Sequence, residues 1–126
     1  GCTEQTLSRF LPAVIVRQTL RDVGLDAETA MNRVFGGLST NAAGQRSPAL
    51  GAKKDLLKLD EMAEAGLKRL YDFQHDDGGW GWWKEGGSDP WMTAYVVWGL
   101  ELARQAGLEL EAGRLTRARD WLRNQL

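Results

Sequence analysis

The sequence contains few cysteine, proline and histidine residues: one cysteine, three prolines and one histidine among 126 residues. A single cysteine excludes an intrachain disulfide framework. With few prolines and no Asn-Gly or Asp-Gly turn between alternating strands, an all-β fold is disfavoured. No apolar run reaches the roughly 18 residues that a membrane-spanning helix needs. The 16 basic and 17 acidic residues are mixed along the chain, so the sequence predicts no nucleic-acid-binding face.

The lone cysteine lies three positions before a glutamine, in the run Gly1-Cys2-Thr3-Glu4-Gln5. A thiol and a carboxamide at this spacing can condense, with loss of ammonia, to an internal thioester. Gln5 then becomes an acyl donor and Cys2 its leaving group, and each bond is used once. The unpaired N–H groups of a helix start stabilise a leaving thiolate, whereas apolar cover must keep water from the acyl carbon. Spacing alone leaves a simpler reading open, because a lone cysteine is usually a small buried hydrophobe.

The residues after this motif predict a helix over residues 3–22, with Thr3 as its N-cap and a kink at Pro12. Its expected apolar face comprises Leu7, Phe10, Leu11, Val14, Ile15 and Gln18. Further helices are predicted over residues 27–34, 55–73, 91–106 and 112–124, with stops at Gly24 and Gly107 and a loop over residues 39–51. The helix over 91–106 is apolar on most sides and is expected to be buried, and the last helix is basic on its outer face. The fold class predicted is therefore all-α.

A weak internal repeat relates two of these helix ends. Leu70-Tyr71-Asp72-Phe73-Gln74 aligns with Trp121-Leu122-Arg123-Asn124-Gln125, and the first copy continues to Gly78 and Trp80. A glutamine that ends a helix can bond the following turn, glycine permits that turn, and tryptophan fills the gap between helical hairpins. This unit is similar to the Q-x(n)-G-x-W repeat of the α/α-toroid superfamily, which includes squalene cyclases and protein prenyltransferases. The resemblance implies helical hairpins arranged as part of an α/α toroid.

A second resemblance concerns the cysteine motif. The run Gly1 to Gln5, followed by Phe10-Leu11-Pro12-Ala13-Val14, resembles the thioester segment of the alpha-2-macroglobulin and complement-component family, whose pattern is G-C-x-E-Q. Further on, Pro90-Trp91-Met92-Thr93-Ala94-Tyr95-Val96-Val97 resembles the family's W-L-T-A-[YF]-V helix. Thr3 replaces the glycine common in vertebrate members, so the chain looks more like a bacterial alpha-2-macroglobulin than a complement protein.

This family resemblance implies a single-use covalent endopeptidase inhibitor rather than an enzyme. In such a protein a protease cuts a bait region, the thioester loses its cover, and Gln5 acylates a lysine amine while Cys2 is released. The implied partners are target proteases and the remaining domains of a larger parent protein, in the periplasm, the cell envelope or outside the cell. No cofactor or metal is implied. Trp91 and Tyr95 are the aromatic residues that we expect to shield the thioester.

The resemblance also bears on domain organisation. The family's thioester domain is a closed toroid of about six helical hairpins, so residues 1–126 are expected to form its N-terminal half, an incomplete toroid excised from a larger multidomain protein. Helices that lack their neighbours would expose apolar surface, and the fragment is therefore expected to self-associate.

Two other groups of residues could carry chemistry: the histidine with its neighbouring aspartates, and a cluster of tryptophans. His75 lies beside Asp76 and Asp77, but this trio lacks the spaced ligands of a zinc site and predicts a solvated turn; the catalytic histidine of some family members lies beyond the position that matches Leu126. Trp80, Trp82, Trp83 and Trp91 could form a carbohydrate or prenyl platform, although hairpin packing is the favoured reading. Two other functions remain open: an α/α-toroid enzyme related to terpenoid cyclases, and a helical interaction module with an incidental cysteine.

Overall fold

The computed structural model describes residues 2–22 and 48–126, apart from the side chains of residues 21 and 48–56. In these ranges the chain forms four helices and no strand: α1 (Thr3–Asp22), α2 (Pro48–Phe73), α3 (Pro90–Gln105) and α4 (Arg114–Gln125). The prediction of an all-α chain is confirmed for the described residues. None of the described helices is both long enough and apolar enough to cross a membrane.

The helix boundaries correct the sequence prediction at several points. Helix α1 has the predicted bounds, but α2 begins at Pro48 rather than at residue 55, so residues 48–51 are helical and not part of a loop. Proline fits this place because the first turn of a helix has no use for its missing N–H. The predicted helix over residues 27–34, the stop at Gly24 and the loop over 39–47 lie outside the described residues, and the kink at Pro12 stays a prediction.

Helix α3 begins and ends with recognisable capping contacts. Asp89 is its N-cap, and its carboxylate accepts a hydrogen bond from the Met92 N–H at 2.8 Å. At the other end Gly107 adopts φ 90°, and the N–H groups of Gly107 and Leu108 bond the carbonyls of Arg104 and Ala103. This is a Schellman motif, in which a glycine accommodates the left-handed residue, so the predicted stop at Gly107 is confirmed. Helix α4 begins at Arg114, two residues later than predicted.

Helix α1 packs against both α2 and α3, and α4 packs against α3. Two glycines bring these helices close together, because a Cβ on Gly66 would lie 3.0 Å from Phe10 and one on Gly99 would lie 2.7 Å from Leu7. At the far end of α1, the Arg17 guanidinium donates to the Asp60 carboxylate at 3.0 Å and to the Ala106 carbonyl at 3.1 Å. The side chains buried most completely are those of Leu7, Phe10, Val14, Leu70, Trp80, Val96 and Leu100.

The buried faces differ from the predicted ones in two places. On α1 the predicted residues Leu7, Phe10, Leu11 and Val14 are buried, but Ile15 is 49% exposed and Ala13 is buried instead. On α3 the expectation of near-complete burial is wrong, because Trp91 and Trp98 are 85% and 50% exposed. The basic outer face predicted for α4 is confirmed, since its arginines at 117, 119 and 123 are exposed.

The turn after α2 has the predicted glutamine–glycine–tryptophan architecture. Gln74 donates from its amide nitrogen to the Gly78 carbonyl at 2.8 Å and to the Arg114 carbonyl at 3.0 Å, so it links the turn to the start of α4. Trp80 is fully buried, and its indole N–H donates to the Leu70 carbonyl at 2.8 Å. The predicted roles of Gln74 and Trp80 are therefore confirmed.

Candidate functional site

The Cys2 residue occupies the N-cap position of α1. Its carbonyl accepts the first helical hydrogen bond, from the Thr6 N–H at 3.1 Å, and a second bond from the Thr6 hydroxyl at 3.0 Å. Thr3, which we expected to be the N-cap, is the first helical residue instead. The N-cap prediction was wrong because threonine is a far commoner capping residue than cysteine.

The side chains of Cys2 and Gln5 each accept a hydrogen bond from the backbone N–H of the other residue. The Gln5 N–H lies 3.4 Å from the Cys2 sulfur, and the Cys2 N–H lies 3.5 Å from the Gln5 side-chain oxygen. This is the pattern of a capping box, in which the N-cap side chain accepts from the N3 amide and the N3 side chain accepts from the N-cap amide. Sulfur and carboxamide are therefore held together by the ordinary geometry of a helix start.

The two members of this pair differ in their access to solvent. The Cys2 side chain is buried, with 8% exposure, whereas Gln5 is exposed. An external group can therefore reach the Gln5 side chain, while the Cys2 sulfur lies beside the Gln5 N–H at the helix start.

An aromatic loop contacts the start of α1 through its backbone. The Trp82 carbonyl accepts a hydrogen bond from the Thr3 N–H at 2.9 Å, which satisfies one of the free amides of the first turn. The sequence placed Trp82 in a tryptophan cluster, either a carbohydrate or prenyl platform or, as the favoured interpretation, hairpin packing. The contact of Trp82 with the motif was missed because a backbone carbonyl leaves no side-chain signature. Trp82 itself is exposed, so this loop borders the reactive pair on its solvent side.

The same loop is held in place by His75. Its Nδ1 lies 2.8 Å from the Ser88 hydroxyl and its Nε2 lies 3.1 Å from the Trp83 carbonyl. The Ser88 hydroxyl donates to Asp77 at 2.7 Å. His75 is thus a half-buried brace of the turn rather than the solvated residue we expected. Among the described residues, no three His, Cys, Asp or Glu side chains lie close enough together to hold a metal ion.

The Asp77 carboxylate is the charged end of this brace. Burial raises its pKa, but the hydrogen bonds from the Gly79 N–H and the Ser88 hydroxyl outweigh that effect and leave the pKa below its ordinary value. Asp77 therefore stays ionised in the neutral range and can accept both bonds. The brace is a structural device for the loop that contacts Thr3.

Trp91 and Tyr95, the expected shields, lie on the outer side of α3. Trp91 is largely exposed, and the Tyr95 ring stacks on Trp98 with centroids 5.9 Å apart. Trp91, Tyr95 and Trp98 follow one another at helical spacing and form an exposed aromatic face, which we call the α3 aromatic face. That Trp91 and Tyr95 shield a thioester stays a prediction.

A groove of about 550 Å³ opens beside Gln5, between α1 and α2. Arg9 from α1 and Arg69 from α2 contribute to its walls, together with the apolar side chain of Met62. The groove thus combines two cationic groups and an apolar surface next to the carboxamide of the reactive pair.

Comparison with known proteins identifies relatives along the whole chain. The family model of the A-macroglobulin TED domain matches residues 1–126. The chain is 34% identical over 123 residues to an alpha-2-macroglobulin of Thermotoga maritima, which covers 98% of the chain and 6% of that protein. It is also 34% identical over 97 residues to an alpha-2-macroglobulin of Escherichia coli, covering 75% of the chain and 6% of that protein. No solved structure matches the chain.

A more distant relative comes from an insect. The chain is 23% identical over 124 residues to thioester-containing protein 1 of Anopheles gambiae, covering 97% of the chain and 7% of that protein. The chain thus spans only a small part of the curated relatives that it matches. The predicted partial α/α toroid is confirmed by the helical architecture and the family match together. Because the family model covers every residue, this chain belongs to the A-macroglobulin TED domain family.

Proposed function

We propose that Cys2 and Gln5 form an internal thioester, which a full-length protein carrying this chain uses to capture proteases covalently. The observation that carries the proposal is the reciprocal capping arrangement, which holds the Cys2 sulfur and the Gln5 carboxamide together at the start of α1. The relatives support the same chemistry, since one is named a thioester-containing protein and two are named alpha-2-macroglobulins.

Both steps of this chemistry balance with the groups of the pair alone. In formation, the Cys2 sulfur attacks the Gln5 carboxamide carbon, a C–S bond forms, the C–N bond breaks, and the thiol proton passes to the departing nitrogen, which leaves as ammonia. In capture, a neutral amine attacks the same carbon, an amide bond forms, and the C–S bond breaks. The proton lost by the amine ends on the Cys2 thiol. Each thioester is consumed in one reaction, so the protein acts as an inhibitor and not as a catalyst.

The helix start assists the departure of sulfur. The Gln5 N–H already lies 3.4 Å from Sγ, so a developing thiolate meets a hydrogen-bond donor without reorganisation. The positive end of the helix dipole favours the same negative charge. Both effects stabilise the negative charge that develops on sulfur as the C–S bond breaks, and they make Cys2 the better leaving group.

The exposure of Gln5 means that the thioester needs a cover from elsewhere until it is used. We propose that the remaining domains of the full-length protein supply this cover and that cleavage of a bait region by the target protease removes it. A lysine amine on that protease then becomes the acceptor. We further propose a periplasmic, cell-envelope or extracellular location, as the family resemblance implies.

Protease capture tests the proposal directly. The full-length protein is mixed with an active protease, and conjugates that survive denaturation are detected by gel electrophoresis and mass spectrometry. The matched variant is Cys2→Ser, because serine retains the N-cap hydrogen bond while removing the thiol. We expect a protease conjugate attached at Gln5 in the wild type and none in the variant. Equal conjugation by Cys2→Ser would show that the pair does not carry the reaction.

A further inference from the structure

The groove beside Gln5 contains two arginines that have no carboxylate partner among the described residues. Arg9 and Arg69 are exposed, and neither makes a hydrogen bond or ion pair with another described side chain. By contrast, Arg104, Arg114 and Arg119 each pair with a glutamate on the described surface. The two arginines thus line the same groove as Gln5 and can bind an external anion there.

The remainder of the groove suits an aliphatic chain. Met62 is 42% exposed there, and Gly66 presents no side chain where α2 meets Phe10 of α1. The missing Cβ lets Phe10 pack directly against α2, and Gly66 contributes backbone rather than a side chain to the groove wall. A lysine can lay its four-carbon stem along such an apolar surface while its amine reaches a polar end.

We propose that this groove is the acceptor subsite of the acyl transfer, and that Arg9 and Arg69 select lysines flanked by carboxylates. The proposal rests on the proposed function and names the class of acceptor that the same site prefers. The lysine stem lies against Met62, its amine meets the Gln5 carbonyl carbon, and neighbouring aspartate or glutamate side chains pair with the guanidinium groups. Guanidinium and carboxylate match in geometry as well as in charge.

The charge of the groove also acts on the amine itself. Only the neutral amine is a nucleophile, and nearby cations disfavour its protonated form. A polyamine without carboxylates gains nothing from the arginines and is repelled by them. A lysine between two acidic residues is instead attracted to the groove, and its amine remains close to the guanidinium groups. The selection therefore favours acidic patches on the captured protein over isolated lysines.

The test compares two peptides that differ only in charge, acetyl-Glu-Lys-Glu-amide and acetyl-Gln-Lys-Gln-amide. The full-length protein is activated by limited cleavage with chymotrypsin, which cuts after neither lysine nor glutamate. Peptide conjugation at Gln5 and thiol release are followed by mass spectrometry and a thiol reagent. We expect the glutamate peptide to react about three- to tenfold faster, the range that one or two exposed ion pairs can supply. In about 1 M salt, where charges are screened within about 3 Å, the preference should fall towards unity.

Variants assign this preference to the groove. Arg9→Gln and Arg69→Gln each remove one charge with little change in shape, and each should reduce the ratio of the two peptide rates. Lys68→Gln is the matched control, because Lys68 is exposed on the same helix, lies next to Arg69 and does not line the groove. Its ratio should equal that of the wild type. A ratio that falls equally in all three variants would show a general charge effect and overturn the proposal.

Methylamine separates failure of this inference from failure of the proposed function. If methylamine releases no thiol from the wild-type protein, the thioester itself is absent and the proposed function is wrong. If methylamine releases the thiol but the two peptides react at equal rates, the thioester stands and the arginine selection is wrong. A preference for the glutamate peptide that Arg9→Gln and Arg69→Gln abolish is the outcome that the proposal requires.

Discussion

At the residue scale, Cys2 and Gln5, the proposed thioester pair, also cap the start of α1. A capping box joins positions N-cap and N3, and the C-x-x-Q spacing places Cys2 and Gln5 at these two positions. The contacts that orient the sulfur and the carboxamide are therefore those that start the helix. The same contacts serve helix capping and the proposed acyl transfer, and a single substitution can remove the second role while keeping the first.

Gln5→Glu is the substitution that makes this separation. Glutamate is favoured at N3 as much as glutamine and adds a negative charge at the positive helix start. We expect the free energy of unfolding to change by no more than about 0.5 kcal/mol, as measured by urea denaturation. The variant should nevertheless release no thiol with methylamine, because glutamate has no ammonia to lose. A thiol released by methylamine from this variant would contradict the assignment of Gln5.

Residues that act through their side chains could be predicted from the sequence, whereas residues that act through their backbone could not. Cys2 and Gln5 could be proposed as a thioester pair from the sequence, because the proposed chemistry belongs to their side chains and their motif resembles a known one. Trp82 was missed because it contacts Thr3 through its carbonyl. The groove arginines were missed because Arg9 and Arg69 lie 60 positions apart in sequence and meet only when α1 packs on α2.

At the element scale, the turn between α2 and α3 requires glycine at position 78. Gly78 has φ 96°, and a Cβ there would lie 2.7 Å from the Arg117 carbonyl of α4. Gly86, in the same connection, has φ 95° and open space around its Cα. The two positions share a backbone conformation and differ in the room available.

Alanine substitution at these glycines distinguishes backbone strain from crowding. Gly86→Ala should lower the free energy of unfolding by about 1–2 kcal/mol, the usual cost of a left-handed alanine. Gly78→Ala should cost about 1–3 kcal/mol more, because α4 must move away from the turn. Urea denaturation of both variants gives the comparison. Equal losses would show that the contact between the turn and α4 does not limit the space at Gly78.

An acid-sensitive ion pair connects α3 to α4. The hydrogen bond from Arg104 holds the pKa of Glu101 below its ordinary value of 4.5. Burial opposes this lowering of the pKa, whereas the positive charge of Arg119 on α4 adds to it. Since the folded pKa is the lower one, the stabilisation is present above about pH 4.5 and is lost as the pH falls through the folded pKa. Glu101→Gln should therefore flatten the loss of stability between about pH 5 and pH 3.

Urea midpoints across this pH range measure the effect, with Glu109→Gln as the control. Glu109 is exposed and makes no ion pair with another described residue. The control should keep the steeper acid dependence of the wild type. The same steep dependence in Glu101→Gln would mean that the contact between α3 and α4 draws no stability from this charge.

Helix positions were more predictable than helix faces. The bounds of α1 and the end of α2 followed from apolar spacing and from the Gln74 turn. The start of α2 was placed too late because Pro48 was read as part of a loop, although proline is favoured in a first helical turn. The aromatic face of α3 was predicted to be buried because a helix that is apolar all round does not reveal which side finds a neighbour.

At the scale of the whole molecule, the α3 aromatic face is an exposed apolar surface on the described part of the chain. Trp91, Tyr95 and Trp98 are exposed on it, and aromatic surface of this kind favours association. We expect the 126-residue chain to self-associate as its concentration rises, measured by sedimentation velocity and light scattering. The double variant Trp91→Lys/Trp98→Lys should shift the chain towards monomer, whereas Gln105→Lys at the end of α3 should not. A monodisperse wild-type monomer at high concentration would contradict this expectation.

The internal thioester is the central claim, and the intact mass of freshly folded full-length protein tests it most directly. Before treatment, we expect the mass to be one ammonia lower than the mass calculated from the sequence. Methylamine should then add one whole methylamine molecule to the protein and generate one newly titratable thiol at Cys2. An unmodified mass, with the Cys2 thiol already free before methylamine is added, would contradict the account. The motif would then be a helix cap without acyl chemistry, and the chain a helical module with an incidental cysteine.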